Sequence, residues 1–450
     1  MSPRSASLPI ALALCASLIG AGAVSAVPPP ATFTAPARLG FAAGDDWEPA
    51  IAADDFGHVY ALWSHYIDYA GGGAGEVDPS CPTCPSPHTV IQISNDNGAT
   101  WGDPRALAPS ETRQDDPQIV VDAGDNSTVY AAYMQGDKSS LFVARSDDFG
   151  QTFQPVLVEP IQRGLDKIAL AARDGDVYLV YHSQQKIWAS VSHDRGDEWR
   201  VVQPIHNTNS TFGVSLPSGA AIDSKGVAYF SWNGVNRPGQ AKGTINLYVT
   251  KTADGGTTWT TSVVGQSAAP PPCGCGGWDF WGAQMAIGVD DQDRVYTLWN
   301  ANAVGKAPQR MYFAHSTDGE TWSNPVDISL APTGANNAFP AVVATGDGDV
   351  RLAWMDDRNG HDAGGDDPAA RWNVYYRRSS DGGLSWSAET KVSAFVAGYA
   401  YKLAAPADGF LQPYGDYFEL DINAAGKTVA IWGEGNSYAG PGNVWYATEP

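Results

Sequence analysis

The octapeptide Ser94-Asn95-Asp96-Asn97-Gly98-Ala99-Thr100-Trp101 constrains this chain more than any other feature, because it recurs. The pattern S-x-D-x-G-x-T-W returns as SDDFGQTF from Ser146 to Phe153, SHDRGDEW from Ser192 to Trp199 and TADGGTTW from Thr252 to Trp259. It returns again as STDGETW, one residue shorter, from Ser316 to Trp322, and as SSDGGLSW from Ser379 to Trp386. Each copy has the chemistry of a tight hairpin turn. Short Ser and Asp side chains accept nearby backbone N–H groups, Gly takes a positive φ, and the closing aromatic packs beneath the turn. One copy would say little, whereas six mark a chain built from repeated modules.

A second repeat lies upstream of each turn: an apolar strand, a turn carrying Asp or Gly, then a strand ending in an aromatic. The second strands read VYALW to Trp63, VYAAY to Tyr133, VYLVY to Tyr181, AYFSW to Trp232, VYTLW to Trp299, VRLAW to Trp354 and TVAIW to Trp432. Seven such strands against six turns leave one module short. Its third strand, Gly442 to Thr448 (GNVWYAT), matches Trp372 to Ser379 (WNVYYRRS). The segment Thr32 to Leu39 resembles the strand that follows a turn, Thr100 to Leu107, and can supply the fourth. The expectation is an all-β, seven-bladed β-propeller of four-stranded antiparallel sheets, with an N-terminal strand completing the last blade and closing the ring. Residues 27–450 read as one such domain, with Pro/Gly-rich stretches at 70–88, 266–277 and 358–369 as long loops.

The turns resemble the Asp-box, or BNR, repeat of the sialidase-like β-propeller superfamily, and the resemblance covers nearly all of residues 27–450. It implies that the Asp boxes are structural, and it implies a glycan-active protein. The first reading is a glycoside hydrolase, either exo-sialidase-like or cleaving another polysaccharide. The alternatives are a non-catalytic propeller that binds carbohydrate or protein and, third, a polysaccharide lyase using His65 or His182 with Tyr66. Sialidases carry an arginine triad, a Tyr–Glu nucleophile pair, an Asp acid/base and an early Phe/Tyr-Arg-Ile-Pro motif. Here the nearest early arginine is Arg38 in Ala-Arg-Leu-Gly, so catalytic residues do not transfer one by one.

Residues 1–26 read as a secretory signal peptide, with Arg4, the apolar run Leu8 to Gly22 and the cleavage site Val24-Ser25-Ala26. The expected location is therefore extracellular or periplasmic. With 27 basic and 49 acidic residues the chain has a net charge of −22, which argues against nucleic acid as a partner. Membrane insertion is not expected, and a monomer is. Four cysteines follow the signal, Cys81 and Cys84 in CPTC and Cys273 and Cys275 in CGC. Export favours disulfides, whose three pairings stay open; a four-thiolate zinc site is the rival. No cofactor is expected beyond a structural calcium ion on an acidic rim.

Aligning the modules on a first-strand Asp (Asp54, Asp122, Asp223, Asp290, Asp421) places a ring of residues about the pore. It reads Glu48, Asp116, Asp166, Pro217, Gln284, Phe339 and Gly415. Glu48, Asp116 and Asp166 are the candidate catalytic residues, because carboxylates on consecutive blades suit acid and base, or acid and nucleophile, at a glycosidic bond. The competing reading is a solvated acidic rim. Candidate substrate-binding residues are Asp46, His65, Tyr66, Lys167, His182, Trp281, Gln284, Arg358, Tyr414 and Asp416, since aromatic faces and convergent polar groups suit sugar rings.

Overall fold

The computed structural model describes residue 1 and residues 27–42, 44–67, 77–160, 164–184, 186–202, 214–235, 245–268, 283–302, 308–359, 372–393, 417–435 and 442–450. The expected signal peptide lies outside them, apart from Met1. So do Cys273, Cys275, Trp281, Tyr414 and Asp416.

The described residues form 28 strands, numbered β1 to β28 in chain order, in seven four-stranded antiparallel sheets. The innermost strands are β2 (Asp45–Ala53), β6 (Gln114–Val121), β10 (Asp166–Arg173), β14 (Val214–Ile222), β18 (Met285–Val289), β22 (Asn336–Thr345) and β26 (Phe418–Ile422). They surround a central channel of about 900 Å³. The last blade is completed from the N-terminus. β1 (Ala37–Arg38) pairs with β28 (Gly442–Thr448) through Ala37–Tyr446 and Arg38–Trp445, and the Thr34 and Leu39 amides donate to the Thr448 and Val444 carbonyls.

The apolar core is divided among the seven seams between blades. Tyr60, Leu62 and Ile91 of blade 1 meet Ile119, Ala131 and Tyr133 of blade 2, and equivalent clusters fill the next five seams. At the closing seam Leu39, Phe41, Ile51 and Trp63 pack on Val429, Ile431, Val444 and Tyr446. The aromatics that end the second strands (Trp63, Tyr133, Tyr181, Trp232, Trp299, Trp354, Trp432) are all buried within these seams. Each tryptophan withdraws roughly 200 Å² from water, a gross stabilisation of about 5 kcal/mol.

The Asp boxes are turns of one design. Ser94 Oγ accepts the Gly98 amide at 2.9 Å and donates to Asp96 at 2.8 Å, while Asp96 accepts the Thr100 amide and hydroxyl at 2.7 and 2.6 Å. The same contacts recur at Ser146/Asp148, Ser379/Asp381 and Thr252/Asp254. Each closing aromatic reaches the seam with the preceding blade, as Trp101 does at the closing seam and Trp199 between blades 2 and 3.

The closing seam is also tied across the innermost strands. Glu419 accepts the Ile51 amide at 2.9 Å, and Asp421 accepts the Ala53 amide at 2.7 Å. These two carboxylates stand in for a strand that β2 lacks on its channel side. They also correct the sequence alignment. Asp54, Asp223 and Asp290 each accept amides of the turn between first and second strands. In blade 7 that task falls to Asn423, which accepts the Ala425 and Lys427 amides, not to Asp421.

Two predictions follow from these seams. Gly98 has φ of +86°, and a Cβ there would lie 1.9 Å from the Tyr446 hydroxyl across the closing seam, whereas Gly226 (φ +80°) has open space. Gly226→Ala should cost about 1–2 kcal/mol from backbone strain alone, and Gly98→Ala clearly more; equal losses in chemical denaturation would refute the seam geometry. The second concerns pH. Burial lifts the Glu434 carboxyl to about 8, Glu419 to about 7 and Asp421 to about 6, and burial with the charge of Asp46 lifts Asp45 to about 7. Each therefore binds its proton more tightly folded than unfolded, so stability falls as pH rises from the ordinary carboxyl range through these values. The melting temperature should drop between pH 6 and pH 8.5, and Glu434→Gln should flatten part of that slope. A rising or flat parent profile would contradict the assignment.

Candidate functional site

The register of β2, β6 and β10 builds the site. In blade 1, Glu48 and Pro49 bulge between the Trp47–Ser64 and Ala50–Leu62 pairs of β2 with β3 (Val59–Tyr66). In blade 2 the same bulge holds Asp116, between Asp115–Met134 and Gln118–Ala132. In blade 3 it holds Lys167, between Asp166–His182 and Ile168–Tyr181. Glu48, Asp116, Lys167 and Phe339 share a left-handed backbone, with φ of 57°, 50°, 49° and 53°. Such bulges re-aim a side chain, and non-glycine residues hold this conformation only where their surroundings impose it.

The ring about the channel is therefore Glu48, Asp116, Lys167, Pro217, Gln284, Phe339 and Tyr417. Two expected members are displaced. Asp166 stands one residue before the bulge, in the place of Trp47 and Asp115, so an ammonium group takes the third position. Gly415 gives way to Tyr417, because the blade-7 anchor is Asn423 and not Asp421. The sequence carried the signal for that shift: Asn423-Ala424-Ala425-Gly426 matches Asp54-Asp55-Phe56-Gly57 and Asp223-Ser224-Lys225-Gly226.

Ring members hold each other across the seams. Glu48 accepts the Asp116 amide at 3.1 Å, and Gln284 accepts the Phe339 amide at 3.0 Å. Lys167, Pro217, Gln284, Phe339 and Tyr417 line the channel, whereas Glu48 and Asp116 lie behind them, 8% and 0% exposed. Asp116 is the hub. Its carboxylate meets Lys138 Nζ at 2.6 Å and Lys167 Nζ at 3.6 Å, and accepts the Tyr417 hydroxyl at 3.3 Å. Burial pushes its pKa up, but Lys138 and Lys167 outweigh that and hold it well below the usual carboxylate range. Lys138 also reaches Asp166 at 2.9 Å, and Lys167 lies 4.5 Å from the centre of the Tyr417 ring.

Tyr66 ends β3 beside this cluster. Burial and the charges of Glu48, Asp115 and Asp116 push its phenol well above its usual range, so it stays a neutral donor. Arg113 grips Asp115 through two nitrogens, at 3.1 and 2.6 Å. Lys138 was not legible in advance. It stands just after β7 (Val129–Gln135), a position with no pattern of its own.

His65 and Arg358 pair with carboxylates of their own, and His182 adjoins the cluster. His65 is fully buried, its Nδ1 2.7 Å from Asp46, and Asp46 also accepts the Trp63 indole at 2.9 Å. His182 is 8% exposed on β11 (Asp176–Ser183), opposite Asp166. Arg358 is bonded to Asp356 at 3.0 and 3.3 Å and to Glu389, and stacks 3.6 Å over the Tyr375 ring. Its charge is thus held by blade 6 itself. Cys81 and Cys84 form a disulfide closing the CPTC turn. Among the described residues, no group of three or more His, Cys, Asp or Glu is placed to hold a metal ion, and no helix is long and apolar enough to cross a membrane. Removing Lys138 takes from the buried Asp116 its shorter ion pair and leaves Lys167 at 3.6 Å. Lys138→Met should cost about 2–3 kcal/mol, and a loss below ~0.5 kcal/mol in urea unfolding would show that the pair is a solvated surface contact.

A model of the BNR repeat-like domain matches residues 76–268. No curated protein matches in sequence. Among solved structures, a protein of unknown function from Dyadobacter fermentans aligns at 13% identity and a TM-score of 0.53, covering 94% of this chain and 99% of that one. The NanB sialidase of Streptococcus pneumoniae aligns at 12% identity and 0.46, covering 93% and 70%. YCF48 from Cyanidioschyzon merolae aligns at 13% and 0.45, covering 92% and 98%. At such identities these likenesses concern the fold. The repeated turns and the seven sheets give the chain the fold of a BNR-type β-propeller, and residues 76–268 of it match the BNR repeat-like domain.

Proposed function

We propose that this protein is an exported glycan-binding propeller whose ligand seats at the channel end ringed by Lys167, Tyr417, Gln284 and Phe339. The observation that carries this reading is the pairing of Asp116 with Lys138 and Lys167 behind two half-buried tyrosines, Tyr66 and Tyr417. A carboxylate held ionised between two ammonium groups has no proton to give a leaving group. What the cluster offers instead is aromatic surface beside fixed donors and acceptors, the usual makings of a sugar site.

Hydrolysis is the second reading, favoured by the closeness of the Tyr66 phenol to the Glu48 charge and by Asp166, which keeps about a third of its side chain exposed. Asp166 would then act as the base and Glu48 would assist Tyr66. A lyase reading based on His65 loses its support, since that ring has no exposed surface.

Binding and turnover are read on one panel of neutral, sialylated and uronic-acid glycans. The parent should retain at least one without cleaving it, and Tyr417→Ala should weaken retention by about tenfold, the loss of one aromatic face. Reducing-sugar release that disappears in Glu48→Gln would move the assignment to the hydrolase. No retention and no turnover on any glycan would sink both.

A further inference from the structure

The charges of this cluster also bear on which glycan is accepted, and the inference rests on the binding reading above. We infer that the channel mouth selects glycans without acidic groups, and that Asp166 is the residue that sets this preference. Recognition of a sugar carboxylate needs a cation free to turn toward it, and a buried or half-buried cation already satisfied by a carboxylate costs much to redirect.

Among the described residues, the three cations of the cluster are all engaged. Arg113 is held by both oxygens of Asp115, at 3.1 and 2.6 Å. Lys138 lies between Asp116 at 2.6 Å and Asp166 at 2.9 Å. Lys167 faces Asp116 at 3.6 Å and the Tyr417 ring at 4.5 Å. Among the described residues, four carboxylates (Glu48, Asp115, Asp116, Asp166) stand against those three cations, so this described cluster carries no positive surplus for an anionic sugar. Lys138 shows the consequence: burial alone would lower its pKa, but Asp116, Asp166 and Glu48 raise it far above the usual lysine range. The net charge of −22 adds a long-range repulsion of the same sign, screened beyond about 8 Å at physiological salt.

Within this arrangement Asp166 is the selective element. It is one-third exposed, it is not buried behind the ring as Asp116 is, and its contact is with the outward Lys138. Replacing it by asparagine keeps the shape and an acceptor oxygen but removes one of the charges that neutralise Lys138. The cluster then has equal numbers of cations and carboxylates, and Lys138 gains a valence that an incoming carboxylate can satisfy.

The test uses matched probes that differ in charge: lactose with 3′-sialyllactose, and methyl-esterified oligogalacturonide with the same oligomer de-esterified. The parent should bind the neutral member of a pair at least about tenfold more tightly. Asp166→Asn should shift that ratio about tenfold toward the acidic member, and the double variant Asp166→Asn/Lys138→Met should lose the shift. Unchanged melting temperature in Asp166→Asn confirms that the fold is intact. Tighter parent binding of the acidic member, or a ratio that Asp166→Asn moves less than twofold, overturns the inference while leaving the glycan-binding reading standing. Failure of the parent to bind these probes and the wider panel removes that reading, and this inference with it.

Discussion

A ring of sheets depends on its last seam. Each blade buries one face against the next, so a blade without a successor would leave an apolar surface and a strand edge in water. Here the seam between blades 7 and 1 is closed in three ways at once. β1 adds the missing strand to β28, Leu39, Phe41 and Trp63 join Ile431, Val444 and Tyr446 in one core, and Glu419 and Asp421 bind the amides of Ile51 and Ala53. Blade packing, strand pairing and side-chain ladders thus meet where the two ends of the chain come together. The acidity of that ladder couples closure to protonation.

Closure also fixes the chemistry of the channel mouth. Glu48 reaches the amide of Asp116 in the next blade, Lys138 of blade 2 spans to Asp166 of blade 3, and Tyr417 of blade 7 reaches Asp116. None of these contacts is made within one sheet. The cluster is a property of the closed ring: Lys138 pairs with Asp116 of its own blade and with Asp166 of the next, and Lys167 of blade 3 reaches back to Asp116. Ionised groups locked by opposite charge in this way resist a change of protonation state.

Much of this was legible in the chain. The Ser94–Trp101 turn and its five companions marked the fourth-strand corners, and the aromatics from Trp63 to Trp432 marked the second strands. The match of Thr32–Leu39 to a post-turn strand pointed to the closing pair. Of the site, Glu48, Asp116, Pro217, Gln284 and Phe339 were placed correctly in the ring. Lys167 holds the ring place that the alignment gives to Asp166, since blade 3 lacks the anchoring Asp and has Arg173 there, where an offset of one residue passes unnoticed. Tyr417 was displaced by two residues because Asp421, a carboxylate of another function, imitated the turn anchor that is Asn423.

Sequence alone determined the architecture, because a hairpin turn and a buried aromatic are local devices whose spacing repeats in the chain. It determined the residue types available at the mouth, but not their pairing. The tertiary structure decided that Asp116 is locked between Lys138 and Lys167, that Arg358 is taken up by Asp356 and Glu389, and that His65 is withdrawn against Asp46. Those outcomes depend on distances between residues far apart in the chain. Electrostatic energy falls with distance and rises with burial, and only the closed ring sets either.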